Sequence, residues 1–250
     1  MRILSLSLAA ALACLAAFVA EAASFDTPDR YVNALLYQCT SSGCTNIGGG
    51  FERHSTAGPW DVDGTDPAFP DNTAFQHSLI EGGHAEGTGG ITLALPSPAS
   101  ESTGFSTMAS GFTLTAPAIL SISATVEFTQ NAAALALGVS LSGGVRVDQY
   151  TPTGEVQDLI FLNLLTTGGG LDHGSRTIHF EQRLAPGVYG FAISVFGSQT
   201  AASAGALSTF NWSGSADLIA VPEPAGLAPA ALALAFIPLV AGAGRRSRPR

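Results

Sequence analysis

Three carboxylates lie close together in the sequence around a glycine, in the segment Trp60–Asp66. Asp61, Asp63 and Asp66 offer the oxygen ligands that calcium takes from flexible loops. The segment does not match an EF-hand loop, because its glycine comes too early and residue 72 is asparagine where a closing glutamate would stand. The main interpretation is therefore a solvated acidic turn, with a calcium site as the alternative.

The histidines are scattered along the chain and favour no catalytic geometry. Asp172, His173 and Ser175 have the residue types of a catalytic triad, but they are too close together in one loop to point at one another. The sequence contains no Gly-x-Ser-x-Gly, His-Glu-x-x-His or phosphate-cradling glycine motif. We therefore expect a chain that is not an enzyme and needs no cofactor. A chance grouping is also the interpretation we prefer for a second set of candidate metal ligands: His77, His84 and Glu86.

Two cysteines, Cys39 and Cys44, are separated by four residues that include Ser-Ser-Gly. Such a segment can turn back on itself, so a local disulfide is the expected state in an oxidising compartment. A zinc site that adds His54 is the alternative, but no second ligand pair has suitable spacing.

The elements that would position these residues are predicted to be strands. From Gly111 onward, apolar and polar side chains alternate with a period of two, and turn residues separate the alternating segments. With no helical period between them, these strands predict an all-β fold, an antiparallel two-sheet sandwich of jelly-roll type. The predicted strands are Phe112–Thr115, Ile119–Thr129, Ala134–Leu141, Val145–Tyr150, Leu159–Leu165, Arg176–Leu184, Val188–Phe196 and Leu207–Ile219.

Residues 24–105 have a different composition, rich in glycine, proline and acidic residues. Only Tyr31–Gln38 and Ile91–Leu95 are predicted as strands in this part. We therefore expect one domain over residues 23–220, loop-rich over 23–105 and strand-rich over 106–220.

The charge of this domain is one-sided. It contains five arginines against seventeen acidic residues, a net charge of −12, and the chain has no lysine. A body this acidic repels phosphate backbones, so we expect no nucleic-acid partner. Solubility outside the cell is the simplest explanation of the charge.

The amino-terminal residues 1–22 are predicted to be a signal peptide. An arginine at position 2 precedes the apolar stretch Ile3–Ala20, and Ala20-Glu21-Ala22 places small residues where signal peptidase cleaves. A lipoprotein box at Ala11–Cys14 is the alternative. Export through the Sec machinery and cleavage after Ala22 are therefore expected.

The carboxyl-terminal residues 221–250 have the layout of a membrane-held tail. Residues 225–244 are apolar and long enough to cross the hydrocarbon core of a bilayer as a helix. Basic residues follow the span and should stay on the cytoplasmic side by the positive-inside rule. These basic residues are Arg245, Arg246, Arg248 and Arg250.

This tail resembles that of PEP-CTERM proteins, which bacteria export and hand to exosortase, a membrane transpeptidase. The resemblance lies in the Val221-Pro222-Glu223-Pro224 motif, the apolar span and the terminal arginines. It implies processing at the motif, an inner-membrane-anchored precursor, and delivery to the cell envelope, cell surface or extracellular matrix. The resemblance covers about thirty of the 250 residues, so it implies sorting and nothing about the body.

Two functions therefore compete for the body. The first is a non-enzymatic structural or adhesive component of the envelope or exopolysaccharide matrix. The second is a carbohydrate-binding or glycan-active module, since jelly-roll domains present glycan sites on a sheet face or on end loops. The aromatic residues Trp60, Tyr150, Tyr189 and Trp212 are candidates for stacking on sugars, with core packing expected for Tyr189 and Trp212.

Overall fold

β-Strands form most of the part of the chain that the computed structural model describes, namely residues 23–96, 99–137, 139–166, 172–200 and 205–221. Residues Ala23–Ile219 form one compact unit. The strands within these ranges are β1 (Thr27–Thr40), β2 (Gly43–His54), β3 (Gly58–Thr65), β4 (Thr73–Glu81), β5 (His84–Ala94), β6 (Glu101–Leu114), β7 (Ala118–Gln130), β8 (Ser140–Tyr150), β9 (Val156–Thr166), β10 (His173–Leu184), β11 (Gly187–Thr200) and β12 (Leu207–Ala220), and the helix is α1 (Ala132–Leu137).

The strands form two antiparallel sheets of six strands each. Sheet A has the order β2-β1-β6-β11-β8-β9, and sheet B has the order β10-β7-β12-β5-β4-β3. Within them, β6-β11-β8-β9 and β10-β7-β12-β5 have the strand order of an eight-stranded jelly roll. The remaining strands extend this unit: β1 and β2 lie beside β6, and β3 and β4 lie beside β5. The prediction of an all-β, two-sheet fold is confirmed.

The core lies between the sheets because successive strand residues point to opposite faces. In β7 the buried side chains are Leu120, Ile122, Ala124, Val126 and Phe128, and the residues between them are partly or fully exposed. The same alternation runs through β6 and β11, which gives sheet A an inner face in the core and an outer face toward solvent.

Residues 24–105 form β1 to β5 and the start of β6, in contrast to the loop-rich region expected there. Several glycines in this part lie inside strands, where a side chain would not fit. A Cβ on Gly89 would lie 2.5 Å from Nε1 of Trp212, and one on Gly104 would lie 3.0 Å from Cδ2 of Leu93. These glycines allow close packing in the core, so the expectation of a loop-rich region was wrong.

The predicted strand Ala134–Leu141 is also corrected. Residues 132–137 form α1, and β8 begins only at Ser140. The side-chain oxygen of Asn131 accepts a 2.9 Å hydrogen bond from the backbone N–H of Ala134, as an N-cap residue does. This cap and the alanine-rich sequence favour a helical turn over a strand.

A buried arginine joins the two sheets at one side of the core. Arg30 of β1 is fully buried, and its guanidinium donates hydrogen bonds to the carbonyl oxygens of Thr56 and Gly58 and to Ser78. The guanidinium also lies over the ring of Trp60, 5.7 Å from its centroid. Burial lowers the pKa of Arg30. The ring of Trp60 therefore packs over a buried arginine that links the two sheets.

Both predicted terminal segments fall outside the described residues. These are the signal peptide, residues 1–22, and the tail beyond Val221, with its apolar span 225–244. Within the described ranges, no helix has the length and apolar character needed to cross a membrane.

Candidate functional site

The three aspartates of the Trp60–Asp66 segment do not meet at one point. Asp61 and Asp63 lie on β3, and Asp61 contacts Nδ1 of His77 at 3.2 Å. The Asp66 carboxylate accepts hydrogen bonds of 2.8 Å from the backbone N–H groups of Gly49 and Ala68, which lower its pKa. Among the described residues, these aspartates form no group with metal-coordinating spacing. The calcium interpretation therefore receives no support.

His77 does not lie with the other two candidate metal ligands, His84 and Glu86. His77 lies with Asp61, whereas Nδ1 of His84 lies 2.6 Å from Oδ1 of Asp217 and Nε2 lies 3.6 Å from Glu86. The hydrogen bond to Asp217 is the main cause of a raised pKa of His84. This contact joins β5 to β12.

Asp172 and His173 form a contact of 2.6 Å between Oδ1 and Nδ1. Ser175 follows two positions after His173 on β10. Residues with this spacing on a strand lie on the same face about 7 Å apart. No hydrogen bond between the serine hydroxyl and the imidazole is present in the described part of the chain, so the three residues do not form a triad there.

Cys39 and Cys44 are directly opposite each other in the β1–β2 hairpin and are joined by a disulfide. His54, the third ligand of the alternative zinc site, lies at the other end of β2 and stacks on Trp60 with a centroid distance of 5.7 Å. The bridge fixes the tip of the hairpin.

The predicted aromatic candidates have different roles. Tyr189 and Trp212 are each only 2% exposed, and Trp212 donates a hydrogen bond from Nε1 to Oγ of Ser106. Their predicted role in core packing is confirmed. Tyr150, in contrast, is exposed at the end of β8 on the outer face of sheet A.

A groove crosses the outer face of sheet A beside Tyr150 and encloses about 560 Å³. This size is within the usual range of small-ligand sites. Its floor consists of small residues on the two central strands, and its walls are polar side chains from β8 and from β1 and the segment before it. We call this the outer groove; its floor is Ala109, Gly111, Gly190 and Ala192, and its walls include Asp26, Asp29, Arg146, Asp148 and Tyr150.

Ion pairs hold the walls of the outer groove. On the β1 side, Arg53 donates from Nε and Nη2 to both carboxylate oxygens of Asp29, at 2.8 and 2.9 Å. On the β8 side, Arg146 donates from Nε to Asp148 at 2.9 Å and from Nη2 to Asp158 at 2.8 Å. Asp148 is the most buried of these carboxylates, and burial is the main cause of its raised pKa. The walls therefore carry ion-paired charges of both signs.

An aromatic strip continues from the outer groove along the same face. Tyr31 stacks on Phe105 with a centroid distance of 4.7 Å and an interplanar angle of 4°, and Phe51 and Phe196 flank this pair at 6.4 and 6.2 Å. Phe51 and Phe196 remain 58% and 41% exposed. We call these four residues the aromatic strip. Phe105 precedes Ala109 by four positions along β6, a distance of about 13 Å.

Thr107 lies on the outer face between the groove and the strip. It is opposite Tyr31 on one side and Ser194 on the other, and it is only 5% exposed. Its hydroxyl has no hydrogen-bond partner among the described residues. A buried hydroxyl without a partner is costly, so a hydrogen bond to this hydroxyl would be favourable.

The sequence contains a signal for this face that the strand predictions did not use. The outward residues of β6 and β11 are paired by size across the two strands: phenylalanine with phenylalanine, threonine with serine, alanine with alanine and glycine with glycine. On both strands, the outward side chains therefore become smaller from the aromatic strip toward the floor of the outer groove. The paired residues are Phe105 and Phe196, Thr107 and Ser194, Ala109 and Ala192, and Gly111 and Gly190.

Comparison with known proteins gives only distant likenesses. No family model matches the chain, and no curated protein matches it. A structure of carbohydrate-binding modules from the β-sandwich superfamily is similar at 11% identity over 76% of this chain and 85% of that chain, with a TM-score of 0.26. A structure of infectious bursal disease virus, Gx strain, is similar at 10% identity over 88% of this chain and 75% of that chain, with a TM-score of 0.18. Similarity at this level carries no argument about function.

Proposed function

We propose that this chain is an exported, non-catalytic glycan-binding protein and that the outer face of sheet A is its binding surface. The observation that carries the proposal is the continuous surface formed by the outer groove, Thr107 and the aromatic strip. This proposal joins the two functions considered from the sequence: an adhesive component of the envelope or matrix, and a lectin-like module.

The chemistry of the surface suits a sugar chain. A pyranose ring has an apolar face of C–H groups and an edge of hydroxyl groups. The exposed rings of Phe51 and Phe196 offer apolar contact to such a face. Asp26 and Asp29 offer carboxylate oxygens to hydroxyl groups, and the small floor of the groove leaves room for a ring to lie against the backbone.

The spacing of the carboxylates favours binding over hydrolysis. Asp148 and Asp158 both accept from the guanidinium of Arg146, so both carboxylates are held in one ion pair and do not face each other across a space for a glycosidic bond. Asp29 is separated from the β8 wall by three strand spacings, about 14 Å. That separation exceeds the roughly 6.5–9.5 Å of an inverting pair. Neither pairing suits a glycosidase.

For the route of the protein, we propose export, anchoring and processing as the tail resemblance implies. β12 ends at Ala220, so the Val221–Pro224 motif directly follows the last strand of the body. An exosortase-type transpeptidase would then act close to the compact domain. Replacing Pro222, Glu223 and Pro224 with alanine should leave full-length precursor in the inner membrane fraction, and normal trimming of that variant would contradict the proposed route.

The binding proposal is tested by a glycan array with the full-length chain, followed by titration of the strongest hit. Phe196→Ala removes an exposed ring from the aromatic strip and should weaken binding by about tenfold or more, as truncation of an aromatic anchor does. Phe75→Ala is the matched control, because Phe75 is a partly buried aromatic on the outer face of sheet B. An array without hits, or equal losses in both variants, would contradict the proposal.

A further inference from the structure

Resting on the proposed glycan-binding function, we infer that the outer groove selects sugars that carry free amino groups and rejects sugars that carry acidic groups. The outer groove would then discriminate between sugars by their charge. The proposed function itself concerns only whether a sugar binds at this face.

The charge of the groove is negative. Four carboxylates, Asp26, Asp29, Asp148 and Asp158, lie on or beside its walls, against the two guanidiniums of Arg53 and Arg146. Each guanidinium is already held by carboxylate oxygens at 2.8–2.9 Å. An acidic sugar would therefore have to displace an existing ion pair, and it would meet the remaining carboxylates as like charges.

Among the described side chains, no other arginine lies at this face. The chain has no lysine. Arg30 points into the core, and Arg176 and Arg183 lie on β10, the edge strand of sheet B. Within the described residues, the positive charges beside the groove are therefore those of Arg53 and Arg146.

Two carboxylates retain capacity for a cationic ligand. Asp26 accepts one hydrogen bond from Ser24 and one from the backbone N–H of Thr113, and it contacts no arginine in the described structure. Asp158 accepts one hydrogen bond from Arg146 and is 58% exposed. Carboxylates in this state attract an ammonium group with charge-assisted hydrogen bonds.

Thr107 gives independent support for a ligand beside these charges. Its buried hydroxyl has no partner in the described part of the chain, although Tyr31 and Ser194 lie opposite it. A hydroxyl can both donate and accept, which matches the hydroxyl groups of a sugar. The surface that carries the acidic walls therefore also contains the Thr107 hydroxyl, for which a sugar hydroxyl is a suitable partner.

The inference is tested with three hexasaccharides of equal length: a glucosamine hexamer, its N-acetylated form and a galacturonate hexamer. The full-length chain should bind the glucosamine hexamer at least about tenfold more tightly than the galacturonate hexamer at low salt and mildly acidic pH. Added salt should reduce this difference, because it screens exposed charges. The N-acetylated hexamer should bind with intermediate affinity.

The double variant Asp26→Asn and Asp158→Asn removes two negative charges. Each amide keeps one oxygen, which accepts from the backbone N–H of Thr113 or from Arg146, and the amide N–H₂ at position 26 can donate to the Ser24 hydroxyl, which now donates to Asp26. It should bring the affinity for the glucosamine hexamer down to that for the N-acetylated form, with the latter unchanged. Glu127→Gln, an exposed position on the outer face of sheet B, is the charge-matched control. Equal or tighter binding of galacturonate would overturn the inference while leaving the proposed function intact. Failure of all three sugars to bind would instead count against both.

Discussion

Thr107→Val is the variant that best distinguishes a glycan-binding role of the outer face from a purely structural role. The substitution keeps the shape of the side chain and removes a hydroxyl that is buried and has no hydrogen-bond partner among the described residues. Leaving such a group unsatisfied costs about 1–3 kcal/mol. Its removal should therefore stabilise the free protein by about 1 kcal/mol, which corresponds to a rise in the melting temperature of about 2–4 °C for a domain of this size.

The same substitution should weaken glycan binding. A hydrogen bond between the Thr107 hydroxyl and a sugar contributes about 0.5–1.5 kcal/mol, so its loss should raise the dissociation constant about two- to tenfold. Calorimetric unfolding and titration with the strongest array hit measure the two effects. Opposite signs for stability and affinity are the expected result.

Thr125→Val is the matched control, because the Thr125 hydroxyl lies on sheet B, 2.8 Å from that of Thr177. This control should lose a little stability and no affinity. If Thr107→Val also loses stability and binds the glycan as tightly as the wild type, an internal partner such as water satisfies the hydroxyl. The reasoning from its missing partner would then be refuted.

Three further predictions follow from the described contacts. Gly190→Val should place two methyl groups on the groove floor and reduce affinity by about tenfold or more; a Cβ there would lie 3.3 Å from the hydroxyl oxygen of Tyr150, so the exposed Tyr150 ring must move slightly, and undiminished affinity would place the ligand elsewhere. The contact with Asp217 raises the pKa of His84 above 6.5, so its stabilising effect is present at lower pH and is lost as pH rises through the raised value. His84→Gln should therefore lower the melting temperature more at about pH 5.5 than at about pH 8.5, and an equal loss at both would contradict this assignment. Replacing Cys39 and Cys44 with serine should lower the free energy of unfolding by about 2 kcal/mol and leave glycan affinity unchanged, whereas an affinity loss would link the hairpin tip to binding.

The fold class could be predicted from alternation because an antiparallel sheet with one wet face requires it. Ile119–Thr129 and Val188–Phe196 lie within β7 and β11, with the expected side chains buried. Two predictions failed where local composition competes with packing. The glycine-rich part over residues 24–105 forms strands instead of loops, and glycines such as Gly104 lie where neighbouring side chains leave no room for a Cβ. The alanine-rich segment after Asn131 forms a helical turn because Asn131 caps it.

The candidate site could not be found by searching for motifs, because no single segment contains it. Asp29 and Tyr31 come from β1, Phe105 from β6, Phe196 from β11 and Arg146 from β8, and only the strand order of sheet A brings them together. The matched sizes of outward residues on β6 and β11 are visible in the sequence. They acquire meaning only once the register between these strands is known, because a shift by one residue would turn each side chain to the other face.

Chemical-shift mapping of the isotopically labelled body, residues 23–220, during titration with the strongest array hit tests the binding surface most directly. The largest amide shifts are expected at Thr107, Ala109, Gly190 and Ala192, on the central strands of sheet A. Shifts confined to the outer face of sheet B or to the loops at the ends of the sandwich, with this face unaffected, would contradict this expectation.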